Sequence, residues 1–293
     1  MTNSKDTLVL LLMRIFAIFV IFLFLIIVFV LVLKAKPILL SKPAYELMFS
    51  SLWSPFKGQF GFFPFIVGTL EVTLLALLLA VPVCLLTSIF LSEYASTRFR
   101  ELTMPFIDIL AGIPSVVYGL CGVLAIVPIV KYVGQMLGYE TTGYCLLSAG
   151  IILAVMVFPL IISVSTEVLR SVPFELRESA LGLGATKWET TRHIVFRKAL
   201  QGIIAAVVLG FSRAFGETIA VLMVVGNVVQ LPSSIFDAGY TLPSLIANNY
   251  GEMMSIPLYD SALMLAALIL LIVVAGFNAL AHYTLLKLEW RTA

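Results

Sequence analysis

LVLLLMRIFAIFVIFLFLIIVFVLVL, residues 8–33, carries a single charge, Arg14. A helix rises about 1.5 Å per residue, so about 20 apolar residues cross a hydrocarbon core about 30 Å thick. The run is long enough to span a bilayer. It is too long for the apolar stretch of a cleavable secretory signal, about 7–15 residues. It therefore reads as a retained first membrane helix, and lipid becomes the solvent in which the rest of the chain is interpreted.

The remainder of the chain fits that solvent. Of 293 residues, 61% are hydrophobic and 12% charged, with a mean hydropathy of +1.10, against about 25% charged in an ordinary soluble domain. A water-soluble globular protein is excluded. Five further apolar runs, 65–91, 104–130, 143–166, 201–229 and 257–286, have spanning length and end in polar, Gly- or Pro-containing sequence. Hydrocarbon offers no partners to backbone N–H and C=O groups, so such runs cross it as helices. The predicted fold is an all-α polytopic membrane protein of about six transmembrane helices. Pro114, in LAGIPSVVYG (110–119), is expected to kink the third.

An even number of spans puts both termini on one side. That side carries Lys5, Arg14, Arg98, Arg100, Arg170, Arg177, Lys187, Arg192, Arg197, Lys198, Lys287 and Arg291; the other carries Lys34, Lys36, Lys42, Lys57 and Lys131. The bias marks the first side as cytoplasmic. On the other, residues 34–64 hold Pro37, Pro43, Pro55, Pro64 and Trp53 and read as an interfacial excursion rather than a folded domain. Trp188 and Trp290 fall near predicted interfaces, where indole rings anchor.

Several chemistries are missing from the sequence. His193 and His282 form no HExxH pair, and neither GxSxG nor GxxxxGK[ST] occurs, so no catalytic, metal or phosphate-cradling motif is assigned. Cys84, Cys121 and Cys145 stand far apart in apolar runs and read as small packing residues. The net charge of +2 and scattered basic residues give no nucleic-acid footprint.

SVPFELRESALGLGATKWETTRHIVFRKA, residues 171–199, is too polar to span and is patterned as helix, turn, helix. Pro173 suits a first turn, Gly182 and Gly184 suit the turn between helices, and Thr186 with Glu189 makes a T-x-x-E capping box. Glu178, Ser179 and Ala180, three residues, Gly184, nine residues and Ile194 resemble the EAA loop of binding-protein-dependent ABC importer permeases. The departures are Ser179 for the first alanine of that pattern and Phe196-Arg197 for its closing Leu-Pro. The resemblance implies that Glu178, Ser179, Ala180 and Gly184 couple the chain to a cytoplasmic ATPase.

GFSRAFGETIAVLMVVGN, residues 210–227, places Arg213 and Glu217 four apart near the middle of the predicted fifth span, on one helical face. A charge at bilayer centre costs at least about 2.5–3.5 kcal/mol, so both are expected to face the bundle. One reading is a structural ion pair, within the helix or to Glu71 or Asp108. The other uses the guanidinium fork to attract an oxyanion, with Glu217 easing release and rejecting sulfate, which has no proton to share. Thr218, Ser115 and Tyr118 are hydroxyls able to bind substrate or to join helices, and Glu71 and Asp108 either line a pathway or satisfy helix contacts.

The same stretch is similar to the G-x-x-R-A-x-G-E-T motif of phosphate-specific (Pst) ABC importer permeases, and its continuation looks more like PstC-type than PstA-type subunits. LAGIPSVVYGL and TLPSLIANNYGE extend the likeness over about 65–286. It implies an N-terminal helix and outer loop at 1–64, a permease core at 65–286 and a cytoplasmic tail at 287–293. It also implies a sister permease, a cytoplasmic ATPase dimer that uses ATP and Mg, an extracytoplasmic phosphate-binding protein, and a bacterial or archaeal plasma membrane. The chain itself would bind no cofactor. Two alternatives stay open: another oxyanion such as sulfate or molybdate, or a carrier coupled to ions through its intramembrane acids.

Overall fold

The computed structural model describes residues 4–252 and 255–292; the side chains of Lys5, His282, Lys287, Trp290 and Arg291 lie outside the described residues. Among the described residues, six helices are long and apolar enough to cross a membrane: Val9–Ser41, Phe63–Tyr94, Ser115–Met136, Leu146–Arg170, Lys187–Phe215 and Tyr259–Leu280. The first span is α1 (Ser4–Ser41), followed by the short α2 (Ala44–Phe49) and a hairpin of β1 (Trp53–Ser54) and β2 (Gln59–Phe60). The second is α3 (Phe63–Ile89), which closes in a π turn, Phe90–Tyr94. After α4 (Thr97–Gly112), the third span joins α5 (Ser115–Cys121) and α6 (Val127–Met136), and α7 (Leu146–Arg170) is the fourth. The loop helix α8 (Phe174–Gly182) leads to the fifth, in which α9 (Lys187–Thr190) continues into α10 (Phe196–Phe215). Short α11 (Ile219–Val224) and α12 (Leu242–Asn249) precede α13 (Tyr259–Thr292), the sixth.

The fourth span is the axis of the bundle. Of its most apolar window 61% is buried, against none in the first span. Val72, Ala76, Ala80 and Cys84 recur every four residues, so they form one stripe on α3. That stripe packs on Ala149, Ile152, Leu153 and Met156 of α7. Cys84 and Cys145 are buried among such contacts, whereas Cys121 faces outward. The first span, apolar on every side, lies along α13 with most of its surface bare, as suits a helix whose neighbours are lipid chains.

Three expectations are corrected. Pro114 separates two helices instead of kinking one. Ile113, held extended at ψ 128°, cannot adopt a helical angle beside the proline ring, so α4 stands apart and the third span is Ser115–Met136 rather than 104–130. The fifth span starts earlier and ends earlier than 201–229: from the capping box at Thr186 the helix runs on through a π turn at Thr191–Val195 as far as Phe215, and 216–218 is a break. Residues 34–64 are more ordered than an excursion. Trp53 packs its ring against Phe60, Phe62 and Phe65 at centroid distances of 5.6, 5.7 and 5.1 Å, closing the ends of the second and sixth spans.

Candidate functional site

The interruption at Gly216 decides how the charged residues of the fifth span are presented. α10 carries Gly210 against the fourth span, where an added Cβ would fall 2.7 Å from Ile161 Cδ1 and push the Ile161 and Val157 side chains aside, so glycine suits this close approach. Arg213 stands in the last turn of α10, where a cation meets the negative end of the helix dipole. Its side chain is exposed on this chain and makes no ion pair among the described residues. Ser212 beside it donates to Asn278 Oδ1 of α13 at 2.7 Å.

Glu217 does not share a helical face with Arg213, contrary to the spacing argument, because the helix has already ended. Gly216 is a weak helix former, and Glu217 N–H turns back to Ala214 C=O at 3.2 Å. The Glu217 carboxylate then serves the next helix, with Oε1 accepting from Ala220 N–H at 3.3 Å. Thr218 begins α11, and its hydroxyl donates to Gly216 C=O at 3.3 Å. Glu217 lines a cavity of about 10 Å³ with Thr69, Thr73 and Thr241, close to the least volume that holds a water molecule. These three threonines were not singled out in the sequence; threonines at i and i+4 near the start of an apolar run were the available sign.

The other candidates scatter. Asp108 is exposed on α4 and belongs to no span. Tyr118 is buried and its hydroxyl donates to Leu110 C=O at 2.8 Å, so it closes the end of α4. Ser115 is half-buried at the first position of α5. Glu71 lines a separate cavity of about 380 Å³ with Leu74, Leu75, Leu78 and Ser233, one oxygen buried without a partner among the described residues. Arg213, Glu217 and Thr218 thus share one break, with Tyr118 near enough to feel the Arg213 charge, while Asp108 and Glu71 stand apart from it.

The polar loop has the expected helix, turn and helix. Pro173 is the N-cap of α8, one position ahead of its first turn. Glu178 is exposed, Ser179 Oγ donates to Glu175 C=O at 2.7 Å, and Ala180 C=O accepts from Ala185 N–H at 3.1 Å. Gly184 sits at φ +90°, a conformation that favours glycine. The capping box is complete: Thr186 N–H donates to Glu189 Oε2 at 2.8 Å and Glu189 N–H to Thr186 Oγ1 at 3.3 Å. Phe174, Leu183 and Trp188 leave their apolar surfaces bare on the loop.

An apolar bundle that opens a helix at a charged residue and extends a patterned polar loop from one face is built as a membrane permease. Solved structures of that class share the fold: inward-facing forms of the MetNI methionine ABC transporter superpose with TM-scores of 0.56 and 0.57 at 18% and 19% identity, covering 75% of this chain and 93% of theirs. The model of the binding-protein-dependent transport system inner membrane component family matches residues 84–287. Among relatives, the phosphate transport system permease protein PstC of Xylella fastidiosa (strain 9a5c) is 37% identical over 259 residues, 83% of this chain and 79% of its own. The probable ABC transporter permease protein YqgH of Bacillus subtilis (strain 168) is 38% identical over 240 residues, 81% and 76%. PstC of Mesorhizobium japonicum is 34% identical over 268 residues, 86% and 82%. The chain belongs to the binding-protein-dependent transport system inner membrane component family.

Proposed function

We propose that this chain is the transmembrane permease subunit of an ATP-driven importer of inorganic phosphate, forming the pathway with a sister permease. The observation that carries the reading is the Arg213 guanidinium, presented at a helix break without a carboxylate partner among the described residues. Planar guanidinium donors match the oxygens of an oxyanion. The relatives named for phosphate transport support the choice of anion.

In this reading, Arg213 attracts phosphate and Thr218 adds a hydroxyl beside it. Glu217 accepts a hydrogen bond from a protonated phosphate oxygen and repels sulfate. Glu178, Ser179, Ala180 and Gly184 form the surface on a cytoplasmic ATPase dimer, which supplies ATP and Mg chemistry; this chain binds no cofactor. An extracytoplasmic phosphate-binding protein delivers the substrate. The polar loop and both termini lie in the cytoplasm, and the membrane is the plasma membrane of a bacterium or archaeon. ATP binding draws the loops of the two permeases together and opens the pathway outward, and hydrolysis returns it.

The test is uptake of radiolabelled phosphate in phosphate-starved cells lacking this chain, with and without the chain restored, and with sulfate and molybdate as competitors. Restored uptake that resists both competitors is expected. Competition by either anion at equal concentration moves the substrate to that oxyanion, and uptake that persists after ATP depletion makes the chain an ion-coupled carrier.

A further inference from the structure

The polar loop is held by a contact that its own sequence pattern does not announce. α8 has no buried residue, so no apolar core fixes its place. Its anchor is Arg177, 15% exposed, against Glu93, 8% exposed, in the π turn that closes α3. Nε donates to Glu93 Oε2 at 3.2 Å and Nη2 to Oε1 at 2.9 Å. Nη2 also donates to Leu169 C=O at 2.9 Å, and Nη1 to Val172 C=O and, at 3.4 Å, to Pro173 C=O. The guanidinium fork thus binds the end of α7, the linker into α8 and the end of α3 at once. Ser92 Oγ adds a hydrogen bond to Glu93 Oε1 at 2.9 Å.

The next residue of the turn reaches the other arm of the loop. Lys187 Nζ, at the start of α9, lies 4.7 Å from the centroid of the Tyr94 ring. Glu93 therefore holds the first arm and Tyr94 the second. Ala95 N–H donates to Phe90 C=O at 2.8 Å, five residues back, so α3 ends in a π turn that carries Glu93 and Tyr94. In the other direction, α3 continues to Thr73 and Thr69, which line the cavity beside Glu217.

We propose that Glu93 is a positioning residue for energy coupling: through Arg177 it joins the polar loop to the second span, so that displacement of the loop is delivered along α3 to the surroundings of Glu217. The chain itself connects the loop only to α7 and α10. The Glu93 joint adds a third route, and it ends at the threonines facing the break. This inference rests on the coupling role proposed above for the loop.

The test uses the complete importer in liposomes, with phosphate as substrate and the variants Glu93→Gln, Arg177→Gln, both together, and Glu93→Asp. Each single Gln variant is expected to retain the ATPase in the complex and to hydrolyse ATP, while substrate moved per ATP falls about tenfold, the effect of about 1.4 kcal/mol. The double variant is expected to be no worse than either single, because the two residues act as one unit. Glu93→Asp is expected to recover most of the coupling. Unchanged coupling in the singles, additive losses in the double, or loss of the ATPase from the complex in every variant would overturn the proposal.

A second readout does not depend on the substrate. Spin labels at Leu86 of α3 and Trp188 of α9, both exposed, are introduced after the native cysteines are replaced. Their separation should stay constant on ATP binding in the intact chain and change in Glu93→Gln. An equal change with and without Glu93 overturns the joint, whereas failure of the wild type to move phosphate overturns the substrate assignment alone.

Discussion

Two interruptions of helix, one in the polar loop and one in the fifth span, use the same residue types and reach opposite states. Glycines stand at both, Gly184 in the first and Gly216 in the second, each with a threonine and a glutamate at the start of the next helix. In the loop the threonine comes first. Thr186 and Glu189 exchange hydrogen bonds with each other's backbone, and the break closes on itself. In the span the order is Glu217 then Thr218, so that reciprocal box cannot form. Glu217 accepts only Ala220 N–H among the described residues, and Thr218 turns back to Gly216. The carboxylate that closes the polar loop is spent on its own backbone, while the one in the span keeps acceptor capacity toward the bundle. Residue order, rather than composition, separates a break closed by its own side chains from one whose carboxylate keeps acceptor capacity.

The sharpest way to break this comparison is Arg213→Gln. Removing a charged hydrogen-bond donor costs about 1.5–3 kcal/mol, so phosphate uptake at matched membrane abundance is expected to fall between about 10- and 100-fold. Wild-type uptake would make Arg213 a helix-end cation and nothing more. Glu217→Gln should have a smaller and different effect. The amide oxygen still accepts from Ala220 N–H, so folded abundance should hold, while phosphate-over-sulfate preference falls about tenfold as the repulsive charge is lost. Selectivity that is unchanged in this variant would remove Glu217 from anion choice.

Thr186→Ala tests the other side. Losing the cap should destabilise the protein by about 1 kcal/mol, read as a lower midpoint of thermal unfolding in detergent, with uptake per folded molecule little changed. A transport loss as large as that of Arg213→Gln would erase the distinction between the two breaks.

The contrast also explains what was legible in the sequence. The loop could be read because its determinants are local: Pro173, Gly184, Thr186 and Glu189 act within a few residues of one another. The number of spans was legible for a similar reason, since lipid allows little beside long apolar helices. Their ends were not. AVLMVV (220–225) is as apolar as the helix before it, and one glycine followed by a carboxylate that caps the next helix outweighs that composition. Pro114 was visible, but whether a proline bends a helix or divides two depends on tertiary support for the backbone it frees. The Arg177–Glu93 pair joins residues 84 apart in the chain, and no periodicity reports that distance.

A turn on the side of the bundle opposite the loop sharpens the comparison with the smallest effect. Ser233 N–H, Ser233 Oγ and Ser234 N–H donate to Asp237 Oδ2 at 2.9, 2.8 and 3.0 Å, another turn closed by its own side chains. These bonds, led by the one from the Ser233 backbone, hold the Asp237 carboxyl below its ordinary range. The folded protein therefore favours the ionised form. The stability this contributes is present above the unfolded value, about 3.9, and is lost as pH falls through the lower folded value. Asp237→Asn should lower the unfolding midpoint slightly at pH 7, and the gap from wild type should close as the solution is acidified through that range. A gap that stays constant or widens in acid would mean that the carboxylate does not close this turn, and the pattern shared with Thr186 and Glu189 would be confined to the polar loop.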